Sequence, residues 1–99
     1  MYWDMCESAI AKLFQCLDEN LMEPVGWWPE SEFEERAMAR WAVYEIINAI
    51  IEHPSTEPYS VVEKFMVDMM DRACMARTPE QERIYTIAVN TAEDVLTII

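Results

Sequence analysis

The 99-residue chain carries nineteen acidic and seven basic side chains, a formal charge of −12, yet 53% of its residues are hydrophobic. Its length suits one domain with one core. Its four Trp, four Tyr and three Phe residues argue against an acidic disordered chain, which would lack such side chains. The negative charge argues against direct binding of DNA, RNA or an anionic membrane, so we expect partners to be basic or neutral.

Two long helices are predicted in the first half of the chain. The first spans about residues 2–22, presents one apolar face at helical spacing, and ends before Pro24. The second spans about residues 32–52 and begins at a capping pair, Ser31 with Glu34. Most of its residues between 37 and 51 are apolar or aromatic, so we expect it to be the central helix of the fold.

The second half of the chain predicts two further helices. A capping pair, Ser60 with Glu63, indicates a helix over residues 61–76. The last helix, over residues 79–98, has the clearest start, because Thr78, Pro79 and Gln81 form a capping box with proline at the first helical position. No segment shows the alternation of a strand, and one glycine leaves little turn chemistry for hairpins. The sequence therefore predicts an all-α, compact four-helix bundle, with irregular or orthogonal packing as the alternative.

Several carboxylates stand where helix energetics does not favour them. A helix dipole stabilises acids in the first turn and disfavours them near the C-terminus. Six acids fall near predicted helix ends or in the linkers: Asp18, Glu19, Glu23, Glu52, Glu93 and Asp94. Solubility is the usual explanation for such acids, and an acidic face that meets a basic partner is the alternative. We take these six as the candidate partner-binding acids.

The third predicted helix differs from the others because residues 59–77 carry three acids and three bases and are rich in methionine. Its apolar residues cover roughly 200° of the helical wheel, whereas a one-sided surface helix needs about 100°. Deep burial with methionine filling gaps, or contact with another chain, would each explain this width. Met66 and Met70 are the candidate residues for a homodimer contact.

Two adjacent tryptophans, Trp27 and Trp28, lie between Pro24 and Pro29 in a short linker. Two indoles so close together cannot easily enter the same core. Two alternatives follow, in which they form a structural cap over the bundle end or one of them anchors a partner.

Chemistry-bearing motifs are missing from the sequence. His53 is the only histidine, no Glu-x-x-His pair is present, and no glycine-rich phosphate loop occurs. Three cysteines without CxxC spacing indicate reduced thiols, and neither a signal peptide nor a membrane span is recognisable. We therefore expect no enzyme, no cofactor and no metal, and a cytoplasmic location.

The overall composition resembles that of small inhibitor proteins carried by phages and mobile elements, some of which act as nucleic-acid mimics. The resemblance rests on size, charge and helical character over the whole chain, without a shared motif. It implies a non-enzymatic protein that occupies a basic surface of a partner, such as a nucleic-acid-binding protein. The alternative is a structural or regulatory homodimer that associates through the neutral, methionine-rich third helix.

Overall fold

The computed structural model describes the backbone of residues 3–19 and 30–99 and the side chains of residues 3–17 and 35–99. These residues form four α-helices and no strand: α1 (Trp3–Glu19), α2 (Glu30–Glu52), α3 (Pro58–Cys74) and α4 (Pro79–Ile98). The predicted all-α fold and four-helix bundle are confirmed. Residues 20–22, which the sequence assigned to the first helix, lie outside the described residues.

The predicted start of α4 is confirmed in detail. The Thr78 hydroxyl accepts a hydrogen bond from the Gln81 amide at 3.1 Å, and Pro79 occupies the first helical position. The Gln81 side-chain oxygen accepts from the Arg77 amide at 3.1 Å, one residue before the position that a capping box would use. The Gln81 side chain thus provides an acceptor for the Arg77 amide, which lies just outside the helix.

The predicted starts of α2 and α3 are wrong by two or three residues. Helix α3 begins at Pro58, after Glu57 as its N-cap, and the Glu57 side chain makes no capping hydrogen bond. Proline has no amide hydrogen that would need an acceptor at a first helical position. The helix can therefore begin at Pro58, before the predicted cap Ser60. Helix α2 begins at Glu30, which places Ser31 inside the helix. Helix α3 ends at Cys74 rather than near Ala76.

Contacts between α1 and α2 show that these helices run antiparallel. The Cys6 thiol, near the start of α1, lies 3.6 Å from the carbonyl oxygen of Thr56 after α2. At the other end, Arg40 donates to the carbonyl oxygen of Leu17 at 3.4 Å. Arg40 therefore satisfies one of the last carbonyl groups of α1, which lack partners within the helix.

The remaining contacts complete an up-down-up-down order. Arg72 near the end of α3 lies 6.0 Å from the ring centre of Tyr85 near the start of α4, so this pair is antiparallel. Arg83 near the start of α4 contacts Glu35 near the start of α2 at 3.4 Å, so α2 and α4 run parallel. Helices α3 and α4 form the most extensive pair, whereas α1 packs mainly on α2. The bundle is therefore irregular.

The core lies where all four helices meet. Its buried members come from every helix: Cys6, Ala9, Leu13, Leu17, Val43, Ile46, Ile47, Ile50, Val61, Val62, Ala92 and Val95. A smaller cluster joins Ala42, Met69 and Ala88 between α2, α3 and α4. The buried Thr91 hydroxyl donates to the Ile87 carbonyl oxygen at 2.8 Å, so this polar group is satisfied within its own helix.

The expectation that α2 is a central helix is wrong in one respect, because one side of α2 faces solvent. Helix α2 contacts the three other helices, but Trp41, Tyr44 and Ile51 remain exposed. The molecule measures 43 × 33 × 20 Å, and 20 Å corresponds to about two helix diameters. A fold only two helices thick cannot cover α2 on both sides.

We predict that replacing Thr78 by alanine lowers the free energy of unfolding by about 1 kcal/mol, because the Gln81 amide loses its capping acceptor. Urea denaturation followed by circular dichroism measures the change. Ser60→Ala is the matched control, since Ser60 lies exposed within the first turn of α3, and it should change the free energy by less than about 0.5 kcal/mol. A larger loss for Ser60→Ala than for Thr78→Ala would contradict the observed helix boundaries.

Candidate protein-binding surfaces

The carboxylates of the described side chains all face solvent. Thirteen acidic side chains are described, and each is exposed. Glu35 pairs with Arg83 at 3.4 Å, but the two side chains keep 59% and 42% of their surface exposed. A pair so exposed contributes little to stability. The negative charge of the described side chains is therefore a property of the surface.

Four carboxylates gather at one end of the bundle, which we call the acidic end and define by Asp4, Glu7, Glu52 and Glu57. Asp4 and Glu7 lie at the start of α1, Glu52 is the last residue of α2, and Glu57 precedes α3. The contact between Cys6 and Thr56 brings these helix ends together. Within the described part of the chain, none of the four carboxylates makes a salt bridge.

Basic side chains are concentrated toward the opposite end. Five of the seven lie there: Arg36, Arg40, Arg72, Arg77 and Arg83. The antiparallel order of the helices produces this separation, because it places the start of α2, the end of α3 and the start of α4 together. Glu35, Asp71, Glu80 and Glu82 share that end with the arginines, and so does the backbone of Asp18, Glu19, Glu30, Glu32 and Glu34. Acids therefore outnumber bases there as well, and the arginines offset only part of the negative charge.

The six acids selected from the sequence do not form one face. Glu52 belongs to the acidic end, and Glu93 is exposed on the outer side of α4. Asp18 and Glu19 are the last two residues of α1. Because α1 and α2 are antiparallel, their backbone lies at the end of the bundle opposite to Glu52. Their side chains, and Glu23 entirely, lie outside the described residues.

Asp94 is exposed but is not an isolated acid. It lines a groove of about 480 Å³ between α2 and α4 together with Arg36. It also borders a second groove of about 310 Å³ with Cys16 of α1. A basic partner approaching Asp94 would therefore meet an arginine beside it, which makes Asp94 a weaker candidate than Glu52 or Glu93.

The predicted apolar arc of α3 is divided between core and solvent. Met66 is half-buried and packs against the main core, whereas Met70 keeps 49% of its surface exposed. Val67 and Cys74 are exposed on the same side, and with Met70 they define the α3 stripe. Of the two sequence candidates on α3, only Met70 is available to a partner.

The outward face of α2 is a surface that sequence analysis missed. Trp41, Tyr44 and Ile51 are exposed and recur at helical spacing, which defines the α2 outer face. The sequence shows an apolar pattern on nearly all sides of this helix. That pattern predicted a central helix and gave no sign of an exposed apolar face. Trp27 and Trp28, the predicted aromatic anchors, lie outside the described residues.

Groups with metal-binding or nucleophilic potential give no site in the described part of the chain. No cluster of three or more His, Cys, Asp or Glu side chains is placed to hold a metal ion there. No disulfide joins any two of Cys6, Cys16 and Cys74. Burial raises the pKa of the Cys6 thiol, which keeps it protonated and unreactive at neutral pH. Cys74, the last residue of α3, is exposed.

The chain matches no protein-family model, no curated protein and no solved structure. None of the helices in the described residues has a stretch long and apolar enough to cross a membrane.

Two adjacent isoleucines test the division of α2 into a buried and an exposed face. Ile50 is fully buried, whereas Ile51 keeps 49% of its surface exposed. We predict that Ile50→Ala lowers the free energy of unfolding by about 2 to 5 kcal/mol, since it removes core contacts and leaves a cavity. Ile51→Ala should lower it by less than about 1 kcal/mol. Equal losses in urea denaturation would show that Ile51 is covered in solution.

Proposed function

We propose that this protein is a small, non-enzymatic binding domain that engages a basic surface of a partner protein through its acidic end and neighbouring exposed carboxylates. The observation that carries the proposal is the group of carboxylates at the acidic end. Asp4, Glu7, Glu52 and Glu57 cluster there without salt bridges to described residues, while most arginines lie among the acids of the other end. A cluster of this kind attracts a positive surface and steers its approach.

Occupation of a nucleic-acid-binding surface is the specific form of the proposal. Acids three or four residues apart on a helix stand about 6 Å apart, and Asp4 with Glu7 has this spacing in α1. A protein that normally holds phosphates would present lysines and arginines to such pairs. In this form the molecule is an inhibitor that competes with DNA or RNA.

The proposal predicts salt-sensitive capture and fast association. A partner retained on the immobilised protein at about 50 mM NaCl should elute at about 500 mM, because the Debye length shortens several-fold. We predict that the triple variant Glu52→Lys, Glu57→Lys, Glu93→Lys slows association with that partner by about tenfold in stopped-flow measurements.

The matched control reverses three acids at the arginine-rich end, Asp71→Lys, Glu80→Lys and Glu82→Lys. Both variants have the same net charge, so a general effect of charge would slow them equally. Equal slowing of the two variants, a slower association for the control than for the first variant, or a partner retained equally at both salt concentrations would contradict the proposal.

A homodimer through α3 is the second candidate function. It is favoured by the α3 stripe, in which Val67, Met70 and Cys74 place apolar surface in water. Helix α3 carries three acids and two bases, so its own net charge is small. Exposed apolar patches of this kind often mark contact sites. The high net charge of each copy opposes such a dimer, because two molecules of −12 repel one another.

We predict that, if the α3 stripe forms a dimer, Met70→Glu raises the dissociation constant by at least about tenfold in sedimentation equilibrium, since it places a charge in the contact. Tyr44→Glu on the α2 outer face is the control and should leave the constant unchanged. A monomer at high micromolar concentration before any substitution would remove this candidate.

A further inference from the structure

The start of α1 and the start of α3 enclose a groove of about 390 Å³, which we call the N-terminal groove. Its apolar surface comes from Met5 of α1, Tyr59 of α3 and Ile99 after α4, and its charged groups are Asp4, Glu57 and Lys12. Met5 and Tyr59 are nearly half-exposed. The volume falls within the range of small-ligand pockets.

The two carboxylates of this groove are available for an interaction. Glu57 is the N-cap residue of α3, yet its side chain accepts no hydrogen bond from the helix amides. Neither Asp4 nor Glu57 makes a salt bridge within the described part of the chain. Both helix ends therefore present a carboxylate beside exposed apolar surface.

Lys12 lies in the same groove but at a distance from Asp4. The two residues are eight positions apart on α1, which corresponds to about 12 Å along the helix axis. Lys12 therefore reduces the negative potential at one end of the groove, and the end with Asp4 and Glu57 stays acidic. The groove therefore combines two carboxylates, Asp4 and Glu57, with an apolar surface.

We propose that the N-terminal groove binds a single arginine or lysine side chain of the basic partner, a proposal that rests on the proposed function above. The methylene groups of such a side chain lie along Met5, Tyr59 and Ile99, and its cationic head lies near Asp4 and Glu57. Long basic side chains bury an apolar stem and keep a charged head in polar surroundings. The Tyr59 ring offers an arginine head a further favourable contact.

The test is an NMR titration of the ¹⁵N-labelled protein with Nα-acetyl-arginine amide at low salt. We expect saturable shifts of the amide signals of Met5, Ser8 and Tyr59, with a dissociation constant in the millimolar range, as suits a single side chain. Nα-acetyl-citrulline amide has nearly the same shape without the charge and should produce no saturable shifts.

Variants separate the groove from the acidic surface as a whole. Asp4→Asn with Glu57→Gln should weaken arginine binding about five- to tenfold, because two exposed charge pairs are lost. Glu80→Gln with Glu82→Gln removes the same charge elsewhere and should leave binding unchanged. Lys12→Ala should strengthen binding about twofold, and Tyr59→Ala should weaken it without any change in net charge.

Two results would overturn the groove proposal. One is equal binding by the Asp4/Glu57 and Glu80/Glu82 variants, with shifts spread over all the exposed acids. The other is an absence of shifts with arginine at concentrations of about 50 mM, well above the expected dissociation constant. In either case a salt-sensitive partner whose association slows in the triple lysine variant would keep the acidic-surface proposal standing, so the two failures are distinguishable.

Discussion

The imbalance between nineteen carboxylates and seven basic groups is the constraint on which the rest of this structure depends. Carboxylates without partners cannot be buried, so the acids must stay in water. The antiparallel order of the helices then decides how they are distributed. It brings Asp4, Glu7, Glu52 and Glu57 together at one end, where none of them makes a salt bridge to a described residue, and it places most arginines among the acids of the other end. The acidic end is therefore the group of carboxylates that the arginines offset least, which is useful for the recognition of a positive surface.

The thinness of the fold is the second determinant of its surface. Only two helix layers fit within 20 Å, so α2 and α3 bury one side each and leave apolar residues on the other. The α2 outer face and the α3 stripe follow from this geometry. The N-terminal groove is of the same origin, with Met5 and Tyr59 exposed beside Asp4 and Glu57. Acidic groups next to apolar surface are the combination that a basic, amphipathic side chain would recognise.

Local sequence signals predicted the helices well and their contacts less well. The start of α4 was predictable because Thr78, Pro79 and Gln81 act on one another within a single turn. The start of α3 was not predictable in the same way, because two local signals compete there. Ser60 is a typical N-cap residue, but Pro58 is suited to a first helical position and the helix begins at it. The apolar pattern of α2 showed how hydrophobic the helix is, but not how many neighbours it has. The N-terminal groove was beyond prediction, since Asp4 and Glu57 are distant in sequence and meet only through the packing of α1 against the connection after α2.

Nineteen carboxylates face seven basic groups, so most of them have no basic partner by count, and we expect them to repel one another in the folded protein. The free energy of unfolding from urea denaturation at about 20 mM and about 500 mM NaCl measures this repulsion, because screening lengths differ several-fold between these concentrations. Salt should screen the repulsion between closely spaced surface charges more strongly in the compact state than in the expanded chain, so we expect higher stability at the higher concentration. Lower stability at high salt would show that favourable ion pairs outweigh the repulsion, unchanged stability would show that the repulsion is negligible, and either result would contradict this expectation.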